Sequence, residues 1–290
     1  MTWYQLTLIS AFTIAAADSV LKKYLSGLSS WDLLFVRFAI PGLLLLPYAL
    51  SYPLPDFNVS FVALMLLLIA LEIGAMLLYV HAITTSPLHL TLPYLSFTPV
   101  FNILTAYLFL GERIDFHGAL GIAIVVIGSY VLNIPQGFTL KRIAEPLLAI
   151  WQCRGSRMML LCAVIYSLTG VLSKKAMGFA SAESFGAYYF VFIGTAVLIL
   201  YPFVPRGNAQ QVAKKYLPAL VVAVLMAIMV VTHFLAIAQV EVAYMVSVKR
   251  SSMLFGILFG ALLFGEKNLV RNLTAGGIML IGIFVLVKTS

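Results

Sequence analysis

Long apolar stretches, separated by short polar interruptions, run through the whole chain. A helix that crosses a membrane needs about 20 mostly apolar residues. Ten stretches approach or exceed that length, and we predict a transmembrane helix at each: 3–24, 31–51, 60–84, 87–110, 116–134, 157–178, 183–204, 216–238, 241–264 and 270–288. We expect the first stretch to be a retained span rather than a signal peptide, because it has neither a basic leader nor a small-residue cleavage site.

Composition supports a membrane protein. Of 290 residues, 62% are hydrophobic and 10% are charged, whereas soluble domains are roughly half apolar and about 25% charged. This difference excludes a soluble enzyme, a disordered tail and a nucleic-acid binder. The net charge of +8 is expected in loops that face anionic lipid. The predicted fold class is an all-α polytopic membrane protein.

The longest connection divides the predicted helices into two sets of five. Pro135 cannot continue a helix, and residues 135–156 mix basic residues with leucine, isoleucine and tryptophan. We predict an amphipathic connector at the membrane interface. The predicted organisation is a five-helix repeat at 1–134, the connector at 135–156 and a second five-helix repeat at 157–290.

The two halves repeat short sequences in the same order. Lys22-Lys23 matches Lys174-Lys175 at an offset of 152, and Gly111-Glu112-Arg113 matches Gly265-Glu266-Lys267 at 154. Gly128 and Gly282 occupy equivalent positions in the last helix of each half. Because each half has an odd number of helices, the second must enter the membrane from the opposite side. The pattern therefore predicts two inverted repeats, which in transporters rock about a site near the bilayer midplane.

The repeated Gly-Glu-Arg/Lys corners and the glycine-bearing helices after them resemble the ten-helix EamA-type members of the drug/metabolite transporter superfamily. The resemblance covers essentially the whole chain. It implies secondary transport of small metabolites, often amino-acid export, across the cell (plasma or inner) membrane. It also implies that ATP is not used, and the absence of a Gly-rich Walker loop agrees with this.

Three ionisable residues inside predicted spans are the main candidates for function, because charges there are costly. Glu72 lies near the middle of the third span, and its repeat partner is Met226. We predict that Glu72 binds substrate or carries a proton; a neutral, permanently paired carboxyl is the structural interpretation. Lys249 and Arg250 lie in the ninth span. We predict that Arg250 holds a carboxylate or phosphate. The structural interpretation is that both charges snorkel to a helix end.

Five weaker substrate-binding candidates follow from helical spacing. Tyr79 lies seven residues after Glu72 on the same face, and its repeat partner is His233. We predict that Tyr79 and His233 face each other across the repeat axis, although a buried, hydrogen-bonded tyrosine fits as well. The other candidates for cavity polar groups are Tyr94, Thr98 and Ser247.

Other prominent residues are expected to be structural. We assign Asp18, Asp32 and Arg37 to ion pairs, and Glu112 and Glu266 to N–H groups of the helix that follows each corner. Pro93 and Pro99 have no proline partners in the ninth span, so the fourth helix is the expected bending element. Gly256 and Gly260 form a GxxxG face, interpreted as tight packing within the bundle, so a monomer or weak dimer is expected. Cys153 and Cys162 are expected as unpaired thiols near a membrane boundary.

Two function classes remain beside the transport of an amino acid, a similar zwitterion or an organic anion coupled to protons. Efflux of lipophilic cations needs a carboxylate whose charge is not neutralised by a nearby cation. A non-transporting membrane partner or lipid enzyme is the other class, but the four histidines are scattered and form no nucleophile–base set or metal cluster. We expect no enzyme activity, no metal and no cofactor; the expected partners are a small substrate, protons and lipid.

Charge predicts an orientation opposite to the resemblance. One side of the predicted topology carries four cations, and the other, which includes the connector, carries eleven. The positive-inside rule places the richer side in the cytoplasm and both termini outside. The resemblance implies cytoplasmic termini.

Overall fold

The computed structural model describes residues 1–134, 140–204, 207–265 and 269–289, without the side chains of 84, 88, 89, 140–143 and 269–273. Within these ranges the regular elements are helices. Ten of them follow the ten predicted apolar stretches: α1 Trp3–Leu25, α2 Ser30–Leu50, α3 Val59–Thr85, α4 Leu92–Leu110, α5 Phe116–Leu132, α6 Arg154–Phe179, α7 Ala182–Phe203, α8 Tyr216–Ile237, α9 Val242–Phe264 and α10 Leu269–Thr289.

Length and composition qualify eight of these described helices as membrane spans. In α5 and α10 the apolar helical stretches, Phe116–Leu132 and Thr274–Thr289, are shorter. The all-helical membrane fold is therefore confirmed, and eight of the ten predicted spans are confirmed at spanning length. Shorter helices occupy Leu88–Thr91 and Ala209–Lys214.

The connector contains a helix at Leu140–Gln152. Leu147, Leu148 and Trp151 on this helix are exposed, and the carbonyl oxygen of Pro146 accepts a hydrogen bond from the Tyr94 hydroxyl. A helix with an exposed apolar surface, tied to a membrane helix by its other side, is consistent with an interfacial position.

Both α4 and α9 depart from regular α-helix at equivalent places. α4 begins as a 3-10 helix at Leu92–Phe97 and becomes α-helical at Thr98. In α9 a turn at Arg250 and Ser251 separates two α-helical parts, and their N–H groups donate to the carbonyls of Ser247 and Val248, three residues back. The offset of 154 superimposes 93–97 on 247–251. The regular α-helix is therefore interrupted in α9 as well as in α4, the helix expected to bend.

The chain forms two compact units. The first unit comprises Met1–Ile69, Ser173–Gln239 and Ser252–Lys267, and the second comprises Ala70–Leu172, Val240–Ser251 and Asn268–Ser290. Each unit therefore combines segments from both predicted sequence halves. The turn in α9 lies where the chain passes from the second unit to the first.

In the first unit, α1 packs along α8 and α7 packs along α2. The hydroxyl of Ser10 donates to the carbonyl of Met229, 3.1 Å away. Glycine permits the approach of α7 to α2, because a Cβ at Gly194 would lie 2.6 Å from the carbonyl oxygen of Phe38. The core of this unit is rich in aromatic rings, including the edge-to-face pair of Phe185 and Phe234.

In the second unit, α5 packs along α10. A Cβ on Gly128 would lie 2.6 Å from Met279, and one on Gly282 would lie 2.8 Å from the backbone nitrogen of Val125. The matched glycines of the repeat thus share one packing role. Gly111 and Gly265, the matched glycines of the corners, both have positive φ, which glycine adopts without a steric penalty.

Candidate functional site

One face of α6 organises the candidate site in the second unit. Cys162, Tyr166 and Gly170 are spaced by four residues, so they lie one above another on the same side of the helix. The hydroxyl of Tyr166 hydrogen-bonds with the sulfur of Cys162. Next to this face, the side chains of Thr105 and Ser167 share a hydrogen bond of 2.7 Å that joins α4 to α6.

Cys162 brings two of the predicted residues to one place. Its sulfur donates to the carbonyl of Ala75, and it lies within electrostatic range of both Glu72 and Arg250. The side chain of Cys162 is fully buried within α6, and its expected position near a membrane boundary stays a prediction. Both cysteines are free, and Cys153, half-buried, immediately precedes α6.

Arg250 lies in the 3-10 turn of α9. Its guanidinium is within electrostatic range of Cys162 and Tyr166, and its Nε atom is buried with no hydrogen-bond partner among the described residues. A 3-10 turn inside a longer helix often marks a functional hinge. Here the turn places a cation beside the polar face of α6.

The buried polar atoms that lack a hydrogen-bond partner in the described part of the chain are concentrated on α4 and α9. Apart from Nε of Arg37, they belong to Ser96, Asn102, Arg250 and Ser251. Each such group costs about 1–3 kcal/mol when left without a partner. The concentration of four such residues in one unit indicates a region built to contact polar groups outside the protein's own hydrogen-bond network.

Asn102 was not among the sequence-predicted residues. It interrupts the apolar run Val100-Phe101-Asn102-Ile103-Leu104, and a buried amide in such a run is the signal that could have identified it. Tyr94, Thr98 and Ser247, in contrast, were predicted from the sequence, and their side chains have hydrogen-bond partners. Their hydroxyls donate to the carbonyls of Pro146, Leu95 and Ala243, which explains their burial structurally, and their role in binding stays a prediction.

The remaining predicted residues lie in both units. Tyr79, in the second unit, packs against a buried cluster that includes Ala75, Tyr94 and Cys162. Lys249 ends the first α-helical part of α9. His233 belongs to the first unit, where its ring contacts Phe234 edge to face, so the predicted apposition of Tyr79 and His233 stays a prediction.

One of the residues assigned to structural roles needs a correction. Arg37 and Asp18 form the predicted ion pair. Asp32, however, accepts hydrogen bonds from Tyr201, from Ser29 and from the backbone N–H of Asn208, so its partners in the described structure are uncharged. The carboxylate of Glu112 accepts from Val242 N–H at the start of α9. Glu266 lies outside the described residues.

Asp115, which the sequence analysis did not single out, caps α5. Its carboxylate accepts from Gly118 N–H at 2.8 Å and from the Tyr244 hydroxyl at 3.0 Å. These two hydrogen bonds, opposed by desolvation, lower the pKa of Asp115 from its ordinary value of 3.8. Together, Glu112 and Asp115 fix the corner between α4 and α5 to the first turn of α9.

A separate cavity of 280 Å³ lies in the first unit. None of the predicted substrate-binding residues lines it. Gly256 and Gly260 border this cavity, and a Cβ at Gly256 would meet no atom within 4 Å. The expectation of tight packing is therefore wrong at Gly256. The other lining residues include Asp18, Ser19, Lys22, Ser252 and Phe264.

Comparison with known families identifies the class of protein. The model of the EamA-like transporter family matches residues 1–134 and 154–288. The chain therefore belongs to this transporter family and is a multi-pass membrane protein. No curated protein sequence matches it. A solved structure whose title reads only "Crystal structure of protein" matches with a TM-score of 0.72 and 18% identity, covering 97% of this chain and 96% of the other; at that identity the likeness concerns the fold.

Proposed function

We propose that this protein is a secondary active transporter, a proton-coupled exporter or exchanger of a small carboxylate-bearing metabolite such as an amino acid or a similar zwitterion. The family supports transport as such. One observation carries the substrate class: Arg250 stands at the 3-10 turn of α9, and its buried Nε has no hydrogen-bond partner in the described part of the chain.

An arginine in this position suits a carboxylate. Its planar guanidinium presents donors in a fork that matches the two oxygens of a carboxylate. A cation inside a span is costly unless an anion or a water-filled cavity accompanies it. Its neighbours on α6, Cys162 and Tyr166, supply no permanent negative charge at neutral pH. A substrate carboxylate would therefore be the natural counter-ion.

Glu72 supplies the second charge of the proposed mechanism. It lies near the same cysteine as Arg250, so a zwitterion held by Arg250 would carry its amine towards the carboxyl side of the site. The Glu72 carboxyl would bind either the substrate amine or the exchanged proton. Efflux of lipophilic cations fits less well, because the Arg250 guanidinium would repel such substrates.

Reconstituted uptake tests the proposal. Proteoliposomes containing the full chain would be assayed with a panel of labelled amino acids and organic acids. We expect Arg250→Ala to lower uptake at least about tenfold, because a hydrogen bond to a charged group contributes about 1.5–3 kcal/mol. Arg113→Ala, in an exposed corner, is the matched control and should retain wild-type uptake. Uptake by Arg250→Ala at the wild-type rate would contradict the proposal.

A further inference from the structure

The fold does not explain why the polar side chain of Asn102 is buried. Its side chain is 0% exposed, and neither Nδ2 nor Oδ1 has a hydrogen-bond partner in the described part of the chain. One turn later on α4, the hydroxyl of Thr105 hydrogen-bonds with both the carbonyl oxygen of Phe101 and the hydroxyl of Ser167. Buried amides normally have partners, so the amide of Asn102 is available for a partner from outside the chain.

Asn102 lies beside the same α6 face as Arg250. A Cβ placed on Gly170 would lie 4.0 Å from Oδ1 of Asn102, whereas Arg250 is near Tyr166, four residues earlier. Four residues of α-helix advance by about 6 Å. The two polar groups are therefore displaced along α6 by a distance that a short carbon chain spans.

The chemistry of an asparagine amide defines what it binds. Nδ2 donates and Oδ1 accepts, so the best partner presents one acceptor and one donor side by side, as another amide does. A second carboxylate would leave Nδ2 satisfied and Oδ1 repelled. An aliphatic group would leave both atoms without a partner.

We propose that Asn102 and Gly170 form a second polar subsite, which takes a neutral carboxamide or peptide amide on the substrate whose carboxylate Arg250 holds. This inference rests on the proposed function and narrows it. Gly170 matters because it keeps free the space next to Oδ1. A Cβ there would meet Val242 at 3.6 Å and Asn102 at 4.0 Å, both ordinary contacts, so alanine would fit and would occupy that space.

Binding to the purified full-length protein in detergent tests the subsite. The probes are two matched pairs, L-glutamine with L-norleucine and succinamate with valerate, which differ in the amide. We expect the amide member of at least one pair to bind about tenfold more tightly, the factor that one satisfied hydrogen-bonding group typically contributes. Asn102→Leu and Gly170→Ala should each remove this preference without weakening the binding of the aliphatic member.

Two controls are matched to these variants. Thr105→Ser changes a neighbouring polar residue on α4 and keeps its hydroxyl, and Gly178→Ala adds a Cβ to α6 where no described atom lies within 4 Å. Both should keep the preference for the amide. A preference that persists in Asn102→Leu would overturn the subsite.

The outcomes separate this inference from the proposed function. Equal binding of both members of each pair, abolished by Arg250→Ala, would remove the subsite and leave the proposed carboxylate site intact. If the wild-type protein binds no probe of either kind, the subsite is overturned. Carboxylate binding that is unchanged in Arg250→Ala would overturn the proposed function, whatever the result for Asn102.

Discussion

The thiol of Cys162 donates a hydrogen bond to the carbonyl oxygen of Ala75, 3.4 Å away. This contact joins α6 to α3 one turn after Glu72. It determines which part of α3 faces the α6 residues near Arg250. Cys162, for which the sequence predicted no functional role, therefore lies near both Glu72 and Arg250.

Substitution of Glu72 by glutamine tests proton coupling. We expect Glu72→Gln to abolish the dependence of net transport on a pH gradient while substrate exchange remains measurable, because the amide keeps the size of the side chain and cannot carry a proton. Counterflow and pH-jump assays in proteoliposomes measure the two activities. The control is Glu183→Gln in the exposed first turn of α7. Complete loss of exchange would identify Glu72 as a substrate contact, and full gradient dependence would reject proton transfer.

Lys249 and Arg250 should differ in importance. Adjacent residues of a helix point about 100° apart, so one substrate group cannot meet both side chains in the same direction. We expect Lys249→Ala to reduce uptake less than Arg250→Ala, as measured by initial rates on equal amounts of reconstituted protein. An equal or greater loss in Lys249→Ala would mean that the assignment of the pair is reversed.

Low pH should remove the stabilisation that Asp115 provides at the corner between α4 and α5. The hydrogen bonds from Gly118 and Tyr244 lower the pKa of Asp115 below 3.8. The carboxylate therefore stabilises the fold at pH values above 3.8, and this contribution disappears as the pH falls through the lowered pKa. Asp115→Asn should unfold at a lower temperature than wild type near pH 6, and the two Tm values should converge below pH 3.8.

Tyr244→Phe isolates one of the two hydrogen bonds at this corner. It removes the hydroxyl that donates to Asp115 and keeps the aromatic ring against Gly118. We expect an intermediate loss of Tm at pH 6 and a pKa of Asp115 closer to 3.8. A Tm difference between Asp115→Asn and wild type that does not change with pH would contradict the assignment.

Gly282 should be intolerant of a side chain. A Cβ would lie 2.8 Å from the backbone nitrogen of Val125, and overpacking of this kind costs about 1–3 kcal/mol. We therefore expect Gly282→Ala to lower the Tm in detergent. Gly277→Ala is the control on the same helix, because a Cβ there meets no atom within 4 Å. Equal Tm values for the two variants would contradict the close packing of α5 and α10.

Thiol labelling decides the orientation. Gln152, at the end of the connector helix, is exposed. In a background without Cys153 and Cys162, we expect Gln152→Cys to react with a permeant reagent and not with an impermeant one in intact cells, because the charge distribution places the connector in the cytoplasm. Labelling by the impermeant reagent would place both termini in the cytoplasm, as the resemblance implies.

The sequence predicted the helices well because length and hydropathy determine them. The predicted 216–238 corresponds to Tyr216–Ile237, and 183–204 corresponds to Ala182–Phe203. It did not predict the turn at Arg250 and Ser251. No proline or glycine stands there, so local propensity carries no signal.

The candidate site was only partly predictable. Charges such as Glu72 and Arg250 stand out because their cost inside a membrane is large. Cys162 and Asn102 carry no charge, and their significance comes from contacts between helices distant in sequence. The same limit explains the hydrogen bond that Glu112 accepts from Val242 on α9, 130 residues away.

The departures from α-helix at Leu92–Phe97 in α4 and at Arg250 and Ser251 in α9 also bear on the history of the chain. Two prolines accompany the segment in α4, and a Lys-Arg pair accompanies the one in α9, so neither set of residues is needed to produce the shape. If a single ancestral half was duplicated, the bent backbone preceded the chemistry now placed on it. Ser96, the counterpart of Arg250, would then be the position at which a new substrate charge could evolve without any change in the path of the main chain.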